Sequence, residues 1–287
     1  MLNKKQRKQI NYEEYEPLLP NEFHKTSEWN KEVVNKMKIE VTNNNIFELE
    51  YNYTDPINIM DNEWKDTISI KDLPLSPEYK TLVLELKRVY DSENTLAEHY
   101  IDTYVDTLLH ILKFHYYPLT INLKHKFEIK IDKEVCVTSI PDFVIMSEYS
   151  KLLIIVEDKN IKNATNFNQW KESQIMGEIF TAIHALKIEQ DINLYGVRII
   201  GTLFTFYKAM ITLDYILDTV GPKIPTKHSM TVYRYPDPDH LTRVHHPNIS
   251  TGRTFYWPKL NLSTMSNWNK EFMLVSLGKY TTVKTKA

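Results

Sequence analysis

The chain has 287 residues, 42% of them apolar and 25% charged, with a net charge of −2. That length and apolar share allow one large folded domain with extensions, and the near-neutral charge excludes strong whole-protein attraction to nucleic acid while leaving room for a local basic groove. One cysteine, Cys136, excludes an internal disulfide, and no apolar run approaches the roughly 18 residues of a membrane span.

Residues 1–78 read as a polar N-terminal arm or cap that packs on the core, with a disordered first dozen residues. The stretch NEFHKTSEWNKEVVNKMKIEV predicts a short helix and IFELEYNY a strand. Pro56, Pro74 and Pro77 punctuate a linker. The early KKQRKQ run fits a nuclear address as well as an ordinary solvated tail. With a lone cysteine and no hydrophobic leader, an intracellular protein is expected, nuclear if that run is an address and cytoplasmic otherwise.

The core is expected over residues 79–218. PEYKTLVLELKRVY and SENTLAEHYIDTYVDTLLHILKFHYY are helical patterns. In the second, Leu96, Tyr100, Tyr104, Leu108 and Leu112 form an apolar stripe, and Ser92 is a candidate N-cap. Strands follow. LKHKFEIKID alternates, KEVCVTSIPDFVIM is interrupted by Pro141, and KLLIIVEDK has the unbroken apolar run of a strand buried on both faces. WKESQIMGEIFTAIHALKIEQ predicts a helix. LYGVRIIGTLFTFYKAMI predicts one long strand, or two with a turn near Tyr207-Lys208. Residues 219–287 are expected to be a Pro-rich excursion followed by a closing helix, LSTMSNWNKEFMLVSLGKY, packed on the core. The class is α/β, a mixed sheet flanked by helices.

The chemistry concentrates between Ser139 and Asn160. FVIM and LLIIV flank the polar SEYSK, a hairpin pattern. Antiparallel pairing about Ser147–Ser150 sets opposite those residues whose numbers sum to roughly 297–299, which places Asp142 across from residues 155–157. Two carboxylates distant in sequence then meet at the open end of the hairpin. Glu157 and Lys159 share a face. Paired acids suit a hard oxygen-loving cation such as Mg²⁺ or Mn²⁺, and a neighbouring lysine suits the positioning of a water.

Pro141-Asp142, fourteen residues, then Glu157-Asp158-Lys159 resembles the PD-(D/E)xK nuclease superfamily, the restriction-endonuclease-like fold. That fold is a helix, a three-stranded meander, a helix and a strand, which matches about residues 92–206. The resemblance implies a metal-dependent (endo)nuclease that hydrolyses phosphodiesters of DNA, less readily RNA, leaving 5′-phosphate ends. It implies metal ligation by Glu98, Asp142, Glu157 and Asp158, the last through its backbone carbonyl, with Lys159 handling the attacking water and Gln174 near the scissile phosphate. Glu178 lies one turn beyond Gln174, at the pocket edge or against a lysine. Many members act as dimers, so a homodimer is a possible partner state. One position departs from the pattern. An apolar residue is usual between the acid and the lysine, and Asp158 stands there instead. A carboxylate at that place must reach solvent or a partner. Lys162, Lys171, Arg198 and Lys208 are candidates to line a nucleic-acid groove.

Two other readings stay open. The fold can persist as a catalytically weak module that binds nucleic acid or protein, and the hairpin can be only core in an interaction or structural protein. Other chemistries are unsupported. His240, His245 and His246 lack cysteines at zinc-ligand spacing, and no nucleophile-elbow or phosphate-loop motif occurs.

Overall fold

A computed structural model of the protein describes residues 25–43, 70–72, 75–91, 98–131, 134–148, 152–159, 172–201, 203–220, 224–225 and 227–235. The strand expected at 46–53 and the helix expected at 262–280 lie outside these residues. The described fold is mixed α/β. A seven-stranded mixed sheet is flanked by helices, with a separate two-stranded hairpin against one face.

The N-terminal segment contributes a helix and a strand. Asn30 caps α1 (Lys31–Lys36), its side-chain oxygen accepting from the N–H groups of Glu32 at 2.9 Å and Val33 at 3.1 Å. Strand β1 (Ile39–Asn43) follows and lies at the sheet edge. The helices α2 (Pro77–Asp91) and α3 (His99–Ile111) come next and pack on each other. The buried stripe of α3 is Ile101, Tyr104, Val105, Leu108 and Leu109, the i, i+3, i+4 spacing of an amphipathic helix.

Strand β2 (Leu119–Leu123) is not among the expected elements, although LTINL alternates apolar and polar residues. It pairs with β5 (Phe143–Ser147) and forms the other edge of the sheet. Between them runs the hairpin of β3 (Phe127–Ile131) and β4 (Glu134–Ser139). The segment expected to be one strand interrupted at Pro141 is therefore two strands in two sheets. Proline cannot donate to a ladder, and the chain changes sheets at that residue. Strand β6 (Leu152–Lys159) pairs antiparallel with β5 and parallel with β7 (Ile192–Ile200), the crossover being α4 (Glu172–Ala185). β7 turns back into β8 (Leu203–Ile211) through Gly201, whose φ of 58° is easy only for glycine. The turn thus falls six residues before the expected Tyr207-Lys208, and both of those residues lie inside β8. Helix α5 (Leu213–Asp218) and β9 (Met230–Tyr235) complete the described chain. β9 pairs antiparallel with β8 and parallel with β1.

Strand alternation sorts the core into two layers. Phe143, Ile145, Ile154, Val156 and Ile199 face α2 and α3. Val144, Met146, Ile155 and Leu194 face α4, α1 and the β3–β4 hairpin. The apolar run of β6 is buried on both sides, as its pattern predicts.

Candidate metal centre

The β5–β6 ladder runs Phe143 opposite Val156, Val144 opposite Ile155 and Ile145 opposite Ile154, each pair summing to 299. Asp142 lies one residue beyond its last rung, level with the Glu157-Asp158 end of β6. Pro141 and Asp142 form the bend by which the chain enters the sheet, and both are buried. The Asp142 carboxylate is tied on both oxygens. Oδ2 accepts the backbone N–H of Asp158 at 2.7 Å, and Oδ1 takes the ammonium of Lys124.

Because β6 alternates, its two acids face opposite ways. Asp158 follows Ile154 and Val156 toward α3, where Asp102 sits in the first helical turn. Asp102, Asp142 and Asp158 each bring a carboxylate oxygen, and the three oxygens lie within 4.8 Å of one another. Asp158 is 2% exposed, and its Oδ2 has no hydrogen-bond partner among the described residues. Burial, then the neighbouring charges of Asp142 and Asp102, pushes its carboxyl up to about 9. Lys124 is the one cation in contact with this group that the described residues record. Partial burial opposes its charge, but the bond to Asp142 and the charges of Asp142, Asp102 and Asp158 hold its pKa above the ordinary lysine value.

Glu157 follows Ile155 toward α4. Its Oε1 accepts from Gln174 Nε2, and the same amide nitrogen donates to Glu178 Oε1 at 3.0 Å. All three side chains are buried. A primary amide has two N–H bonds, so Gln174 can serve both carboxyls at once. Burial, then the charge of Glu157, raises Glu178 well above the usual carboxyl range. One proton on Glu178 resolves the repulsion between two buried acids.

The residues singled out from sequence are thus distributed over both faces of β6. Asp142 and Asp158 come together, with the Asp158 side chain itself turned into the group. Glu157 and Gln174 meet each other on the opposite face, outside the three-carboxylate group. Glu98 stands at the N-cap position of α3, and the carboxylate that this helix brings to the group is Asp102, one turn further on the same stripe. Lys159 closes β6 in register with Ile200. Arg198, expected at a nucleic-acid groove, is buried, with 4% exposure. Burial works against its charge, and Tyr207, Glu172 and Glu157 favour it. Its strand is covered on both faces, so a charged side chain in it meets internal partners rather than solvent. Lys208 is half-buried, with its ammonium 5.9 Å from the centre of the Tyr195 ring. Lys162 and Lys171 lie outside the described residues.

Two residues of the site escaped the sequence reading. Asp102 carried a signal, being four residues after Glu98 on one helical stripe. Lys124 carried none, because it reaches Asp142 only through the pairing of β2 with β5. Among the described residues, no helix is long and apolar enough to cross a membrane. Comparisons with protein-family models and with curated proteins return no match to this chain.

Proposed function

We propose that the protein is a metal-dependent phosphodiester hydrolase acting on nucleic acid, DNA before RNA, with a restriction-endonuclease-like core. The observation that carries this reading is the buried Asp158 carboxylate, one of whose oxygens has no donor among the described residues, grouped with two further carboxylates. Three acids beside one ammonium leave an excess of negative charge in a poorly solvated place, which a divalent cation offsets. The donors are all oxygens, so they suit Mg²⁺ or Mn²⁺ rather than zinc. The element order α3, β2, β5, β6, α4, β7 also supports it, being a helix, a meander, a helix and a strand with the β3–β4 hairpin inserted.

Asp102, Asp142 and Asp158 would hold the ion. Bound there, it supplies a polarised phosphodiester and a water of lowered pKa. The Asp158 N–H fixes the Asp142 carboxylate so that it is oriented before a substrate arrives. Lys159, at the end of the same strand, is the residue proposed to orient the attacking water and offset phosphate charge. Gln174 holds Glu157 in place.

The rival reading is a binding module with this fold and no useful turnover. One observation favours it: Glu157 is engaged by Gln174 on the face opposite the three acids. Plasmid nicking with Mg²⁺, with and without EDTA, decides between them when wild type is compared with Asp142→Ala and Lys159→Ala. EDTA-sensitive cleavage lost in both variants is expected. Cleavage unchanged in both variants overturns the mechanism, and tight DNA binding without cleavage establishes the rival.

A further inference from the structure

We infer that Lys124 is a tethered stand-in cation, an ammonium that offsets part of the charge of the three-aspartate group until a divalent ion displaces it. This rests on the metal-site reading above and adds a competitor to it. The ammonium bonds Asp142 Oδ1, and the charges of Asp102 and Asp158 act on it as well. Its side chain is 55% exposed while that of Asp142 is 6% exposed, so the lysine reaches in from solvent and has somewhere to withdraw to. Its backbone is fixed independently. The Lys124 N–H donates to the Asp142 carbonyl at 3.0 Å, and its φ of 49° marks the sharp turn that ends β2. The anchor therefore survives when the ammonium moves, and a flexible four-carbon stem allows that movement.

An ammonium on Asp142 and a cation ligated by Asp142 compete for the same oxygen and the same field. Ion binding then includes the cost of breaking a charge-assisted hydrogen bond, and removal of the ammonium removes that cost. A lysine that merely props Asp142 in place would have the opposite effect, since its loss would loosen a ligand.

The test is calorimetric titration of the full chain with Mn²⁺ and with Mg²⁺, for wild type, Lys124→Met and Asp142→Asn. Lys124→Met is expected to bind the ion about five- to tenfold more tightly than wild type, the order set by losing one partly solvated charge-assisted contact. Affinity unchanged or weakened in Lys124→Met, with binding still abolished by Asp142→Asn, overturns the stand-in role and leaves the metal site standing. Absence of Asp142-dependent binding in every protein overturns the metal site and this inference with it. Should Lys124→Met fold poorly, Lys124→Gln serves the same titration. A crystal structure of the wild type with Mn²⁺ on the three aspartates gives a direct readout: the ammonium is expected to have left Oδ1, and an ammonium still bonded there overturns the inference.

Discussion

The backbone N–H of Asp158 donates to Oδ2 of Asp142 at 2.7 Å, so one strand's main chain orients the carboxylate of its neighbour. The same residue then turns its own carboxylate into the group that Asp142 and Asp102 complete. Asp158 is both a positioning residue, through its N–H, and a candidate ligand, through its side chain.

That double role makes the metal-free protein sensitive to pH. The Asp158 carboxyl is pushed up to about 9 when folded, against roughly 3.9 in an unfolded chain. Between those values the folded state binds a proton that the unfolded state does not, so stability falls as pH rises through this window. Glu178, also raised, adds to the same slope. Melting in EDTA from about pH 5 to about pH 9 is expected to show a falling Tm, by a few degrees for each ~1 kcal/mol lost. Asp158→Asn mimics the protonated form and should flatten much of that slope. Saturating Mg²⁺ should stabilise wild type most at the alkaline end and leave Asp158→Asn unmoved. A Tm that rises with pH in EDTA would contradict the placement of Asp158.

Asp102 and Glu98 lie one turn apart on α3, and only Asp102 belongs to the three-carboxylate group. Asp102→Asn is expected to weaken Mn²⁺ binding by about tenfold or more, whereas Glu98→Gln changes it by no more than about threefold. Equal losses from both would place Glu98 in the ligand set after all.

On the other face, Glu178 is expected to tolerate neutralisation. Glu178→Gln keeps the shape of a protonated carboxyl and should alter unfolding free energy by under about 0.5 kcal/mol. Glu178→Ala opens a cavity and removes an acceptor of the Gln174 amide, at a cost of about 2–4 kcal/mol. Urea denaturation of the two variants measures the difference, and similar losses in both would argue for an ionised Glu178.

Gly177 lies inside α4, where alanine would ordinarily help the helix by about 1 kcal/mol. Here a Cβ would meet Trp29 Cδ2 at 2.8 Å and Thr26 Cβ at 3.1 Å. The indole is buried and packs against Phe180, the rings tilted by 42° with centres 5.6 Å apart, so it has little room to retreat. Overpacking should win, and Gly177→Ala is expected to cost about 1–2 kcal/mol net. A stabilised variant would mean that the N-terminal segment moves aside freely.

What could be read in advance followed from local pattern. The Asp142–Glu157 level was legible because two apolar runs and one polar turn leave little freedom in hairpin register, and the observed ladder keeps the expected sum. Asp158 was legible as an anomaly, an acid where burial is costly, though its partners were not. LTINL alternates apolar and polar residues, but it is only five residues long and directly follows a Tyr-Tyr-Pro run; Lys124 was hidden because only the long-range pairing of β2 with β5 brings it to Asp142. The burial of Arg198 was not legible from its residue type. Its neighbours in β7 are apolar on both sides, and a parallel ladder to Glu157 supplies a counter-charge in the interior.

The outer edge of the sheet is closed by β1 lying parallel to β9, with Ile39 opposite Met230. These partners are separated by most of the described chain. During synthesis β1 emerges early and has no strand to join until β8 and β9 have followed it. Met37, whose carbonyl accepts the Tyr215 hydroxyl at 2.9 Å, waits in the same way. The last rungs of the sheet are thus late events with a large loop-closure cost, and until they form the edge of β8 is open to pairing with other chains. Fragments that begin near residue 79 lack β1 and keep the edge of β9 open permanently, so their solubility is a direct readout of what β1 does as a cover.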